Sequence, residues 1–219
     1  MMLHRITALT LQKRNRRRVN IFLDGEFAFG LERIVVGWLH VGQEINDEKV
    51  AELQAEDERE VAFQRALRLI NYRPRTEIEI RDRLNRQSTS PEIIDAVIDR
   101  LKQSQLLNDR QFAENWIENR SDLRPRSRLA LAFELKKHGV DQEIIEESLA
   151  SVDDEQSAYK VAFRQARKYQ NLEWNEFRNR LNRFLAQRGF AYDNIRDVTH
   201  RVWTELQENH HPLNKEVLP

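Results

Sequence analysis

Arg73-Pro74-Arg75-Thr76 returns as Arg124-Pro125-Arg126-Ser127, a shift of 51 residues that also carries Leu84 onto Leu135, Ile93-Ile94 onto Ile144-Ile145 and Ile98 onto Leu149. A register held over that length marks an internal repeat, and the fold follows from it. A third, degenerate copy begins at Val161-Ala162-Phe163, echoing Val61-Ala62-Phe63, and continues as Leu185-x-x-x-Gly189-Phe190 against Leu135-x-x-x-Gly139-Val140. In the first copy Val61, Ala62, Ala66, Leu69 and Ile70 form one stripe at helical spacing, and Ile93, Ile94, Val97, Ile98 and Leu101 form another. Thr76 with Glu79 makes a capping box, Ser90-Pro91 places a cap before a first-turn proline, and Gly139 and Gly189 suit left-handed helix ends. Each copy is therefore predicted to hold three helices.

Upstream of the repeats the period falls to two. Ile6-Thr7-Ala8-Leu9-Thr10-Leu11 alternates, Val19, Ile21 and Leu23 share a face, Asp24-Gly25 supplies a tight hairpin turn, and Phe27 and Phe29 resume the alternation. The segments from Leu31 to Leu39 and after Asp47 read as short helices over this sheet, and the helical period proper starts at Glu60. The fold class expected is mainly α: tandem three-helix repeats forming an elongated curved array, preceded by a small N-terminal β-hairpin or sheet module. The expected partition is the β module over 1–55, repeats over 59–108, 109–153 and 154–208, and a flexible tail over 209–219.

The 36 basic and 36 acidic side chains cancel, so any attraction for nucleic acid must be local. Cysteine is absent, which excludes disulfides, thiolate metal sites and a cysteine nucleophile. The six histidines are scattered apart from His210-His211, and the carboxylates mostly have Lys or Arg three or four positions away, as on ion-paired helix faces. With no Walker loop, dinucleotide fingerprint or nucleophile elbow, no cofactor is expected and the chain is read as not an enzyme. No apolar run approaches the roughly 18 residues of a membrane helix, nor does the basic start resemble a secretory signal, so a cytoplasmic protein with no membrane partner is expected.

The candidate binding residues are arginines at equivalent points of two repeats, Arg73 and Arg75, then Arg124, Arg126 and Arg128, with Lys136 and Lys137 and, in the third copy, Arg178, Arg180 and Arg183. Guanidinium groups hold phosphate or carboxylate bidentately, so such a row suits DNA or an acidic protein; equally, it can cap neighbouring helix ends. The basic turn of Lys13, Arg14, Arg16, Arg17 and Arg18 is open to the same two readings, a solvated turn or a contact with phosphate or an acidic partner. Trp116, Phe112, Phe163 and Trp203 fall at apolar helical positions and are read as core, whereas Trp38 and Trp174 are candidates for surface anchors.

Leu106-Leu107-Asn108-Asp109-Arg110-Gln111-Phe112-Ala113-Glu114-Asn115-Trp116-Ile117-Glu118-Asn119-Arg120 resembles the most recognisable stretch of the RecX family. Arg75-Thr76-x-x-Glu79 with Arg83-Leu84, and Pro125, Leu129, Glu134-Leu135, Lys137, Gly139 and Val140, are similar to its signatures in the first and second repeats. Departures are Asn108 in place of an acid, Gln105 in place of glycine, and Gln87-Ser88-Thr89 in place of Lys-Gly-aromatic, all near helix ends. The resemblance implies a regulator that binds along the groove of the RecA filament on single-stranded DNA and lowers ATPase, strand-exchange and co-protease activities; a monomer whose contact with that DNA is weak or indirect is expected. The competing reading is a general DNA-binding helical-repeat protein acting without RecA; a hidden hydrolase has no recognisable constellation to support it.

Overall fold

A computed structural model describes residues 2–210. The chain divides into two compact units, one ending at Leu107 and the other beginning at Asn108. The first holds strands β1 (Leu3–Leu11), β2 (Arg18–Leu23), β3 (Glu26–Glu32) and β4 (Glu44–Asn46), then helices α1 (Asp47–Tyr72), α2 (Glu77–Asn85) and α3 (Pro91–Gln103). The second holds α4 (Asp109–Leu123), α5 (Arg128–Lys137), α6 (Gln142–Leu149), α7 (Asp154–Ala166), α8 (Trp174–Ala186) and α9 (Tyr192–His210). The fold is mainly helical, with three-helix repeats behind a small antiparallel sheet, as the repeat register predicts. Of the tail expected over 209–219, residues 209 and 210 belong to α9 and 211–219 lie outside the described residues.

The sheet runs β3-β2-β1-β4, with every pair antiparallel. Asp24 and Gly25 both take positive φ (52° and 95°), the geometry a two-residue hairpin turn requires. Two expectations fail here. A bulge between Ile21 and Phe22 breaks the alternation, so Phe27 lies 59 % exposed, edge-on to Phe22, while Ile21 stays in the core. The stretch from Leu31 to Leu39 is not a helix: β3 continues to Glu32, and turns closed by Val35 N–H to Glu32 O and Leu39 N–H to Val36 O follow. Its β-branched Ile34-Val35-Val36 run and Gly37 disfavour helix, and the turns still bury Val35, Val36 and Leu39.

The largest correction concerns α1. In place of a short helix and a fresh start at Glu60, one helix of 26 residues begins at Asp47, its first turn capped by the Asn46 side chain accepting from the Lys49 N–H. Its first half packs Leu53 into the sheet core of Ile6, Val19, Ile21, Leu31 and Ile45. Its second half packs Ala62, Phe63 and Ala66 against Ile80 and Leu84 of α2 and Val97, Ile98 and Leu101 of α3. Between the halves the inward stripe continues through two carboxylates. Asp57 accepts from the Glu32 N–H (2.5 Å) and from Arg18 (2.9 Å); Glu60 accepts from Arg100 (2.7 Å).

The second unit carries two further cores. One gathers Phe112, Ala113, Ile117, Leu131, Leu135, Ile145 and Leu149; the other gathers Ala162, Phe177, Leu181, Leu185, Val198 and Val202. Trp116, Phe163, Trp174 and Trp203 are partly buried against these cores, whereas Trp38 is 48 % exposed and sits beneath the Lys49 ammonium.

Gly139 and Gly189 take positive φ at the ends of α5 and α8. Ser88, 51 residues before Gly139, adopts the same left-handed conformation (φ 58°), as does Gln105 (φ 56°). The departures from glycine at these helix ends thus keep the geometry and carry its steric cost. Ser88→Gly and Gln105→Gly are each expected to raise stability by up to about 1 kcal/mol, read as a higher urea midpoint.

His4 clasps the start of the chain. Its Nδ1 lies 2.9 Å from Asp24 Oδ2 and its Nε2 lies 3.1 Å from Asp47 Oδ1, so the imidazolium donates on both sides. Hydrogen bonds to Asp24 and then Asp47 raise the His4 pKa; the Arg5 N–H, then His4, lower that of Asp24, and His4 lowers that of Asp47. The clasp's stability is fully present below the ordinary imidazole value of 6.5 and fades as pH rises through the raised one. On the acid side it fades as pH falls below the ordinary carboxylate value of 3.8, through the lowered ones. The melting temperature of His4→Ala should therefore trail that of the wild type most between those two ordinary values, and the gap should close in alkali.

Candidate basic interface

The loop entering α2 places Thr76, fully buried, with its Oγ1 accepting the Glu79 N–H. Capping fixes the loop, and the loop aims its arginines at the same helix. Arg73 and Arg75 both reach Glu79, at 3.0 and 3.4 Å. In the second repeat Ser127 caps α5 in the same way, and Arg126 pairs with Glu134 at 3.0 Å. Glu134 also accepts from Arg120 (3.0 Å) and from the Trp116 indole (2.8 Å).

The two carboxylates are not equivalent. Subtracting the repeat shift puts Glu134 where the first repeat has Arg83, and Glu79 where the second has Ala130. Each repeat holds its arginine loop with an acid from its own second helix, one helical turn apart. That exchange is invisible to a search for recurring residues.

Arg124 and Arg128 are exposed and have no carboxylate side-chain partner among the described residues. The Arg128 backbone N–H is held by Asp154 at 2.7 Å, which ties the start of α5 to α7. Arg188, not anticipated from the sequence, joins this group: its carbonyl accepts the Ser127 N–H, and its guanidinium stacks 3.6 Å from the Phe184 ring. Burial, then the charges of Arg126 and Arg124, push the Arg188 pKa down, so three guanidiniums share this corner. Gly189 permits the approach, since a side chain there would come within 2.7 Å of Ser127 Oγ and 2.9 Å of Ala130 Cβ, at a φ of +84°. The sequence signal for Arg188 was only its place beside that glycine.

The other candidates are spread out. Lys136 and Lys137 are exposed in the last turn of α5; on α8, Arg180 pairs with Glu176, Arg178 lies over the Trp174 ring, and Arg183 is exposed. Lys13, Arg14, Arg16 and Arg17 are exposed in the turn after β1, but Arg18 faces inward onto Asp57, the Gly30 carbonyl and Glu32, so it is a structural cation. Asp57 and Tyr72, the last residue of α1, are 15 residues apart, roughly 22 Å along its axis, so the first unit does not gather this turn and the Arg73–Arg75 loop into one site. Arg83 and Arg86 line a recess with Arg75, Glu79 and Asp82. Among the described residues no group of three or more His, Cys, Asp or Glu is placed to hold a metal ion, and no helix is long and apolar enough to cross a membrane.

A β module followed by three-helix repeats, with exposed cations at the loop entering the second helix of one of them, defines the class as a tandem three-helix-repeat protein. Family models agree in order: a Regulatory protein RecX N-terminal domain over residues 4–46, and the first, second and third RecX three-helix domains over 62–101, 108–149 and 153–199. The chain is 33 % identical over 209 residues to the Regulatory protein RecX of Bacillus subtilis, covering 93 % of this chain and 79 % of that one. It is 32 % identical over 201 residues to that of Clostridium botulinum, covering 89 % and 94 %. A crystal structure of regulatory protein RecX superposes with a TM-score of 0.69 at 23 % identity over 90 % of this chain and 99 % of that one; another, from Lactobacillus salivarius, gives 0.59 at 23 % over 67 % and 97 %. The chain belongs to the RecX family of regulatory proteins.

Removing Glu134 strands Arg120 and Arg126 and takes a partner from the Trp116 indole. Glu134→Ala is expected to cost about 2–4 kcal/mol of folding stability, measured by urea unfolding of the whole chain.

Proposed function

We propose that this chain is a non-catalytic, monomeric regulator that acts in the cytoplasm on the RecA recombinase filament on single-stranded DNA and lowers its ATPase, strand-exchange and co-protease activities. Family membership supports the regulatory part. The observation that carries the binding part is the exposed cation set of Arg124 and Arg128, without carboxylate partners among the described residues, at the corner completed by Arg126 and Arg188. Arg73, Arg75 and Arg126 serve as positioning residues through Glu79 and Glu134, while Lys136, Lys137, Arg178, Arg183 and the turn of Lys13, Arg14, Arg16 and Arg17 add charge that reaches solvent.

That turn favours a second reading, direct DNA binding without RecA. Affinity for labelled single-stranded DNA would then fall steeply with salt, since each phosphate contact releases a counterion, and would be as high without RecA as with it.

The ion pairs narrow the choice of variant. Reversing Arg126 would put a carboxylate against Glu134, so a loss of function there would report on folding as well as binding. The double variant Arg124→Glu/Arg128→Glu avoids this. The wild type is expected to inhibit RecA ATPase on single-stranded DNA and the variant to lose most of that inhibition, with circular dichroism unchanged; equal inhibition by both would remove these residues from the interface.

A further inference from the structure

α5 is apolar on two sides. Leu131 and Leu135 are buried in the core of the second repeat, yet Leu129 and Phe133, four residues apart and so on one face, are 76 % and 71 % exposed. A surface helix ordinarily buries its single apolar stripe, and a second stripe left in water marks a face that something else covers. Ile78, at the position in α2 that corresponds to Leu129, is also 46 % exposed. The second helix of two repeats therefore turns an aliphatic side chain outward at the same place.

Apart from Asp154 of α7, which holds the Arg128 N–H, the charges that flank the stripe on α5 are basic. Arg128 precedes it and Lys136 and Lys137 follow it, without carboxylate side-chain partners among the described residues. The one acid of α5, Glu134, is held by Arg120, Arg126 and Trp116. A phosphodiester backbone would use these cations but gains nothing from a leucine and a phenylalanine. A second copy of this chain would set cation against cation. We infer that the outer face of α5 docks an acidic protein segment, which seats apolar side chains on Leu129 and Phe133 and carboxylates on Arg128, Lys136 and Lys137. Resting on the function proposed above, this assigns the face to the protein of the filament and not to its DNA.

The test uses the full chain and the double variant Leu129→Ser/Phe133→Ser, whose exposed positions leave the cores intact. A fluorescein-labelled acidic helical peptide with leucines at i and i+4 is titrated against both proteins by anisotropy, beside a control peptide with serines in place of the leucines. The leucine peptide should bind the wild type and lose roughly tenfold or more in affinity on the double variant or on conversion to the serine peptide. Equal affinity across either pair, or no binding to the wild type, overturns the docking surface, as does a wild-type dimer in sedimentation that the variant abolishes. RecA ATPase and single-stranded DNA binding, measured with the same two proteins, address the partner. Loss of inhibition at unchanged DNA affinity places the face on the filament protein, and undiminished inhibition by the variant removes it from there. A wild type that does not inhibit RecA overturns the functional reading alone, because the peptide titration still decides the face.

Discussion

Two carboxylates on one helix hold the first unit together. Asp57 and Glu60 continue the inward stripe of α1 at the level where the sheet core ends and the core of the first repeat begins. A carboxylate that is mostly removed from water needs a partner, and each has one from a different direction: Arg18 and the Glu32 N–H from the sheet side, Arg100 from α3. Arg100 also lies 3.6 Å over the Phe63 ring, so its position is set by packing as well as charge. Apolar contacts hold each half of α1 in its own core; these ion pairs fix the register between sheet and helices.

The same logic recurs at the repeat entrances with different residues. Capping by Thr76 and Ser127 places the loops alike, and an acid of the helix that each loop enters neutralises Arg73 and Arg75 in the first and Arg126 in the second. Because Glu79 and Glu134 sit a turn apart in the repeat frame, the residues at the exchanged positions also differ: an exposed Arg83 in one repeat, a half-buried Ala130 in the other. Two loops of nearly identical sequence thereby present different surfaces.

What could be read from the sequence was set by local periodicity and turn chemistry. The Asp24-Gly25 hairpin, the repeat register and the Thr76, Ser90, Gly139 and Gly189 helix ends all rest on interactions within a few residues. The continuity of α1 past Glu60 escaped because its inward positions include Asp57 and Glu60, which a hydrophobic pattern counts as outward. β4 escaped because three residues are too few to show alternation, and the Phe27 bulge because a register shift leaves no mark in composition. At the candidate interface the arginines were identifiable but their partners were not: whether Arg18 or Arg124 faces water depends on acids far away in sequence or out of repeat register. Leu129 and Phe133 were hidden for the converse reason, since apolar residues at helical spacing are ordinarily assigned inward.

The continuity of α1 bears on how this protein comes apart. Sequence repeats suggest cutting the chain just before the first three-helix copy, but such a cut falls inside a helix: its N-terminal turns, with Leu53 and Asp57, stay with the sheet, while Ala62, Phe63 and Ala66 go with the repeat. The sheet would keep Leu53 only on a severed stub of helix, and the truncated helix of the repeat would begin without the Asn46 cap. The unit of inheritance, a three-helix repeat, and the unit of cooperative unfolding, sheet plus first repeat, are therefore different lengths of chain.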